Sequence, residues 1–248
     1  MTGGRAFFSA LLALSMLAID VSAADMAARI TARPLPGFAV TDPSRIRFGR
    51  LDYVGGFEVH ADRREVGGLS GLVIGDGGRR FLSLSDDGLM VKAQIERDAR
   101  GRPVGLSSAS IRRLRTSKGV LSRDKSVSDT ESLDTYVGDG GRSYGVVSFE
   151  GRPTVMVGRM EADGFVGPMT AIDLPKETRL LQANRGLESV AALPAGNGLG
   201  GRFIVLAEAA ERGAKTADPP GWVAGGKAPF AFRIRRVDGY DLTDAKVG

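Results

Sequence analysis

The chain has 248 residues, 42% of them hydrophobic and 25% charged, with 35 glycines, aromatics at 6% and no cysteine. That length supports one substantial core or two small ones, and the glycine-rich, aromatic-poor balance favours many short strands and turns over a helical bundle. The lack of cysteine excludes disulfides, thiolate metal sites and cysteine nucleophiles; the formal charge of +5 comes from scattered arginines rather than a basic block, so no nucleic-acid partner is expected.

At the N-terminus, Arg5 precedes the apolar run AFFSALLALSMLAI (Ala6 to Ile19), and VSAAD (Val21 to Asp25) offers small residues for a cut near Ala23 or Ala24. This pattern predicts a secretory signal over residues 1–24 and an exported protein, periplasmic or secreted. The run is shorter than the roughly 20 residues a membrane span needs, and no later stretch approaches one, so no span is expected after cleavage. An uncleaved anchor is the competing reading, which Asp20 near the cut favours. Residues 25–44 read as a lead-in. RIRFGR (Arg45 to Arg50) and IRRLR (Ile111 to Arg115) alternate basic with apolar residues, as strands with one wet face do.

Three segments then repeat one design. LSGLVI (Leu69 to Ile74), ESLDTYV (Glu131 to Val137) and LESVAAL (Leu187 to Leu193) are short apolar runs, each followed by a glycine-rich turn. A second run closes each unit: RFLSLSD (Arg80 to Asp86), SYGVVSFE (Ser143 to Glu150) and RFIVLAE (Arg202 to Glu208). Two strands about a tight turn make a β-hairpin, so the chain writes one hairpin three times. Ser70-Gly71-Leu72 aligns with Glu131-Ser132-Leu133 and Glu188-Ser189-Val190, with starts 61 and 57 residues apart. Each copy ends on an acid, Asp86, Glu150 or Glu208. A recurring all-β unit of this size predicts a β-propeller of antiparallel blades. The long spacing predicts insertions, with residues 96–111 and 211–229 as the candidates, the second reading as a long loop around Trp222.

GGLSGL, FLSLSDDG, DTESL, YGVVSFE, NRGLESVAALP and FIVLAE, in this order, resemble the phytase-like family, "esterase-like activity of phytase". The resemblance covers residues 45–248, essentially the whole mature chain. It implies an exported bacterial β-propeller with acidic residues near the central axis, and it leaves the reaction open.

In a propeller the inner strands of successive blades run side by side, so equivalent residues meet around the axis. Asp86, Glu131, Glu150, Glu188 and Glu208 are thus candidates for an acidic ring, with Asp129 and Asn184 able to add oxygens. Crowded carboxylates repel unless a cation neutralises them. Oxygen ligands without cysteine or a histidine cluster point to calcium, which takes 6–8 oxygens in irregular geometry. The competing reading has these acids capping strands and pairing with backbone amides or arginines. Arg152 and Arg185, beside the acidic motifs, are the candidate phosphate contacts, or else partners of the ring acids.

Serine catalysis is poorly supported. GGLSGL approaches the G-x-S-x-G elbow, but Leu72 stands where the second glycine belongs. His60, the single histidine, lies in the polar stretch FEVHADRRE, where an exposed histidine is the ordinary expectation. Three functions stay open: a calcium-dependent phosphoester hydrolase acting on a small molecule, which is what the phytase resemblance implies, a non-catalytic periplasmic binding or scaffold propeller, and, least supported, a carboxylesterase. Finally, FRIRRVDGYDLTDAKVG (Phe232 to Gly248) reads as a strand followed by a departing segment. It enters a further blade without a fourth hairpin copy, which predicts an incomplete, open ring. The strands within Arg45 to Phe57 then lack a partner from the C-terminal region.

Overall fold

The computed structural model describes residues 29–194, 198–214, 216–226 and 228–247, so the signal expected over residues 1–24 lies outside the described residues. Among the described residues no helix is long and apolar enough to cross a membrane. The fold is all-β and antiparallel, as expected.

It begins with β1 (Ile30–Pro34), the hairpin of β2 (Arg47–Phe48) and β3 (Leu51–Asp52), and β4 (Phe57–Ala61). β1 falls in the segment read as lead-in and pairs with β4 from Ile30↔Ala61 to Pro34↔Phe57. The first blade runs in order through β5 (Leu69–Gly75), β6 (Arg80–Ser85), β7 (Leu89–Arg97) and β8 (Pro103–Arg113). A short ribbon, β9 (Arg115–Thr116) with β10 (Gly119–Val120), and one helical turn, α1 (Lys125–Ser128), lead to the second blade. That blade comprises β11 (Thr130–Val137), β12 (Ser143–Phe149) and β13 (Thr154–Glu161), with β14 (Gly164–Phe165) and β15 (Thr170–Ala171) both along β13. The third is β16 (Leu187–Ala192), β17 (Phe203–Ala207), β18 (Pro220–Ala224) and β19 (Phe230–Arg233).

All three repeated hairpins are present as β5–β6, β11–β12 and β16–β17. Three expectations are corrected. Residues 96–111, read as an insertion, belong to the long β7–β8 hairpin. Residues 220–224, read as loop, form a fully buried central strand, because Trp222 has the core between blades to fill. Phe230–Arg233 does not enter a further blade; it is the outer strand of the third.

Alternation along each strand sends side chains to two different interfaces. From β6, Phe81 packs with Val91, Ile111 and the N-terminal Ile30 and Ala61, whereas Leu82 and Leu84 meet Leu133, Val147 and Phe149 of the second blade. From β12, Val146 turns the other way and joins Leu187, Val190, Val205 and Trp222 of the third. The blades therefore stack face to face, with β11 between β5 and β16. Among the described residues no strand pairing joins Arg45–Phe57 to Phe232–Val237, and the ring is open.

Side chains of β11 satisfy amides of its neighbour, since the two inner strands share no backbone ladder. The Val190 N–H donates to Ser132 Oγ at 3.2 Å, and the Ala192 N–H to Asp134 Oδ2 at 2.9 Å. Asp134, with a side chain only 4% exposed, also accepts Lys246 from the C-terminal tail. Asp134→Ala is expected to destabilise by about 2–3 kcal/mol, by stranding a buried amide, and to lower Tm by roughly 5–10 °C. Thermal unfolding checks this; an unchanged Tm would refute the pinning role.

Candidate functional site

The ladder of each inner strand slips by one residue near its start: at the same aligned position in the second and third blades, between Thr130 and Ser132 and between Leu187 and Ser189, and one position later in the first, between Ser70 and Leu72. Two inner-strand residues there oppose one on the partner, a bulge that bends the strand and re-aims a side chain. Glu131 and Glu188 occupy the bulges of the second and third blades. The closing acids are fixed by a repeated backbone bond. Asp86 N–H donates to Gly68 O at 2.9 Å, Glu150 N–H to Asp129 O at 2.9 Å, and Glu208 N–H to Gly186 O at 3.0 Å. The tether repeated in three blades, with the matching bulges of the second and third, brings their acids to one end of the inner strands.

The result is two carboxylate groups with a common member. Asp129, Glu131 and Glu150 present oxygens within 4.8 Å of one another, and Glu150, Glu188 and Glu208 do likewise. Glu150 is the most buried of the set, and its Oε1 accepts the Gly186 N–H at 3.0 Å. Asp86 stands at the margin, linked through Ser70, whose Oγ lies 3.3 Å from Asp86 Oδ1 and 3.4 Å from Glu131 Oε2. Burial, reinforced by the neighbouring Glu188, Asp129 and Asp86 charges, pushes Glu131 up to about 8. Burial and the Glu150 and Glu208 charges push Glu188 up to about 7. Glu150 and Asp86 are raised for the same first reason, desolvation, with Lys125 opposing the shift at Asp86. Carboxylates this crowded favour either protons or a bound cation.

Of the residues singled out from sequence, Glu131, Glu150, Glu188 and Glu208 are thus brought together, Asp129 joins them, and Asp86 borders them. Asn184 is exposed in a left-handed turn conformation, φ 60°. Arg152 is also exposed; its charge reaches Asp124, whose carboxyl is lowered first by the Ser126 amide and hydroxyl. Arg185 pairs with a ring acid: its guanidinium lies 3.4 Å from both Glu208 oxygens and 2.9 Å from Asp241 Oδ2.

Two participants escaped sequence reading. Lys125 Nζ sits 2.9 Å from Asp129 and 3.8 Å from Asp86. Its signal was available, since Asp124 caps α1 through the Ser126 N–H and places Lys125 four residues before Asp129. Asp241 had no local signal. The serine-esterase geometry is not assembled: Ser70 bonds carboxylates, while His60, 51% exposed on β4, faces Glu58 at 3.4 Å.

The donors around Glu150 are all hard carboxylate oxygens, a set that suits a hard divalent cation and offers nothing to a soft one. Glu150 reaches both groups, so two neighbouring cation positions would share it. Comparison with curated proteins found no match. A family model described as "Phytase-like: Esterase-like activity of phytase" matches residues 64–246, about three quarters of the chain. That span includes every blade, both carboxylate groups and Arg185. The chain therefore belongs to the phytase-like family, esterase-like activity of phytase.

Proposed function

We propose that this protein is an exported, calcium-dependent hydrolase of small-molecule phosphoesters. The observation that carries this reading is the pair of carboxylate groups sharing Glu150. Glu131, Glu150, Glu188 and Glu208, with Asp129 and Asp86 at the side, are the residues that hold calcium. When bound, calcium supplies the positive charge that the crowded acids demand and that phosphate oxygens and a polarised water require. The chain's own residues shape the rest. Glu150 is immobilised by the Gly186 N–H, Lys125 neutralises the Asp86 side, and Arg185, beside Glu208, and the exposed Arg152 are the proposed phosphate contacts. Export rests on the sequence pattern of residues 1–24.

A non-catalytic binding module is the second reading, favoured by the engagement of Arg185 with Glu208 and Asp241 inside the protein. Purified protein assayed on phytate, p-nitrophenyl phosphate and p-nitrophenyl acyl esters, with calcium or with chelator, separates the readings. Phosphoester turnover that chelator abolishes is expected. Calcium binding with no turnover of any phosphoester would move the assignment to the binding module.

His60→Ala is expected to leave hydrolysis within a few-fold of wild type, because the imidazole faces Glu58 and not the acidic ring. A loss of about a thousandfold or more, the scale of removing a general base from a triad, would restore the esterase reading.

A further inference from the structure

The segment after β19 returns across the inner strands without joining any sheet. Among the described residues it is held there by polar side-chain contacts: Arg185 to Asp241, Ser132 Oγ to Asp244 Oδ1 at 3.1 Å, and Lys246 to Asp134. Val237 and Tyr240 are 60% and 78% exposed, and Ile234, Leu242 and Val247 are only half-buried, so little apolar burial anchors this strap. At its centre the Asp241 carboxylate bridges two guanidiniums. Oδ2 accepts Arg185 at 2.9 Å, and Oδ1 accepts Arg236. Arg236 is braced in turn: its side chain donates to Tyr240 O at 3.2 Å and Gly239 O at 2.8 Å, and its N–H donates to Asp218 Oδ1 at 3.0 Å. Beside the pair lies a cavity of about 250 Å³ lined by Pro219, Ile234, Arg236, Tyr240, Asp241 and Leu242.

Two guanidinium forks converging on one oxyanion is the arrangement that recognises phosphate, through several charge-assisted hydrogen bonds at once. A phosphomonoester carries about −1.5 to −2 charge at neutral pH against the single charge of a carboxylate, and has three acceptor oxygens. We infer that Arg185 and Arg236 form an anion site for a dianionic phosphate, that Asp241 occupies it as an internal stand-in, and that phosphate binding displaces Asp241 and frees the part of the strap beyond it, residues 242–247, while Arg236 stays held by Asp218 and by the Gly239 and Tyr240 carbonyls. The ligand class rests on the phosphoester reading above; the site itself rests on the bridge, the brace and the cavity. Glu208, 3.4 Å from Arg185, keeps that guanidinium turned toward the acidic ring after Asp241 leaves, so the bound phosphate lies next to the carboxylate groups.

The test is calorimetric titration of the full chain with inorganic phosphate in calcium-free buffer, with phenyl phosphate as the monoester arm and acetate as the monoanion control. Asp241→Asn, which removes the competing charge and keeps the shape, is expected to tighten phosphate and phenyl phosphate about tenfold or more and to leave acetate weak. Adding Arg185→Gln to that variant is expected to abolish the gain. Lys246→Ala cuts another tether of the strap and touches neither guanidinium; it should tighten phosphate in the same direction, which covers the case in which Asp241→Asn folds poorly. Phosphate affinity unchanged in both variants would overturn the site, even with calcium-dependent hydrolysis intact. Tightened phosphate in a protein that hydrolyses no phosphoester would sustain the site and remove the hydrolase reading alone.

Discussion

Replacing Glu150 with Gln is expected to abolish the calcium-induced rise in Tm and to cut calcium-dependent phosphoester hydrolysis by about a hundredfold or more. Glu150 is the one acid common to both carboxylate groups, so a single lost charge weakens both. The amide retains an oxygen for the Gly186 N–H, and folding should survive. Without calcium the variant should even gain stability at alkaline pH, because Glu131 and Glu188 lose a repelling neighbour. Their titration sets the window. Glu131 near 8 and Glu188 near 7 in the fold, against an ordinary 4.5, mean that the native state binds more protons than the unfolded chain between those values. The contribution of these two groups to stability without calcium is therefore fullest below about pH 4.5, falls as pH rises from there to about 8, and levels off beyond. Calcium competes with those protons, so the Tm gain should be larger at pH 8 than at pH 5. Thermal melts at both pH values, with and without millimolar calcium, read all of this. A wild-type Tm indifferent to calcium at pH 8 sinks the metal site.

The acidic ring was legible because its determinants are local and repeated. Apolar alternation, a glycine turn and a closing acid recur in three copies, and a bulge at the same alignment position gives Glu131 and Glu188 the same geometry. The β18 strand was not legible for the opposite reason. PPGWVAGG is flanked by Pro and Gly, so local turn chemistry outweighs three apolar residues, Trp222, Val223 and Ala224, in a strand whose partners are remote, at Phe203–Leu206 on one side and Phe230–Arg233 on the other. The β8 strand was hidden similarly, its ladder with β7 slipping near the polar Ser107–Ser110 stretch, where Ser108 takes a φ of 50°. Least legible was the strap. Asp241 and Lys246 find partners 56 and 112 residues upstream, and no periodicity records an ion pair across such a separation.

Gly71→Ala is expected to be the most damaging single-methyl change in the blades, costing about 3–5 kcal/mol of the 5–15 kcal/mol that holds a domain folded. Gly71 sits at the inner-strand bulge of the first blade with φ 62°, a conformation side chains rarely adopt. A Cβ there would lie 2.3 Å from the Leu133 backbone nitrogen and 2.8 Å from the Ser132 carbonyl carbon. Neither is a flexible side-chain end, so relief requires the first and second blades to separate and to open the interface of Leu82, Leu84, Val147 and Phe149. Gly77→Ala supplies the control, since Gly77 has the same φ of 62° and nothing within 4 Å of the added methyl. It should cost only about 1 kcal/mol, the backbone share alone. The difference between the two variants in chemical denaturation isolates the contact between blades. Displacement of Ser132 and Leu133 also drags Glu131, so Gly71→Ala should weaken the calcium response at temperatures where it still folds, whereas Gly77→Ala should not. Equal destabilisation by the two substitutions would show that the blades yield freely at this contact, and would remove close packing of the inner strands as the reason the carboxylates are held together.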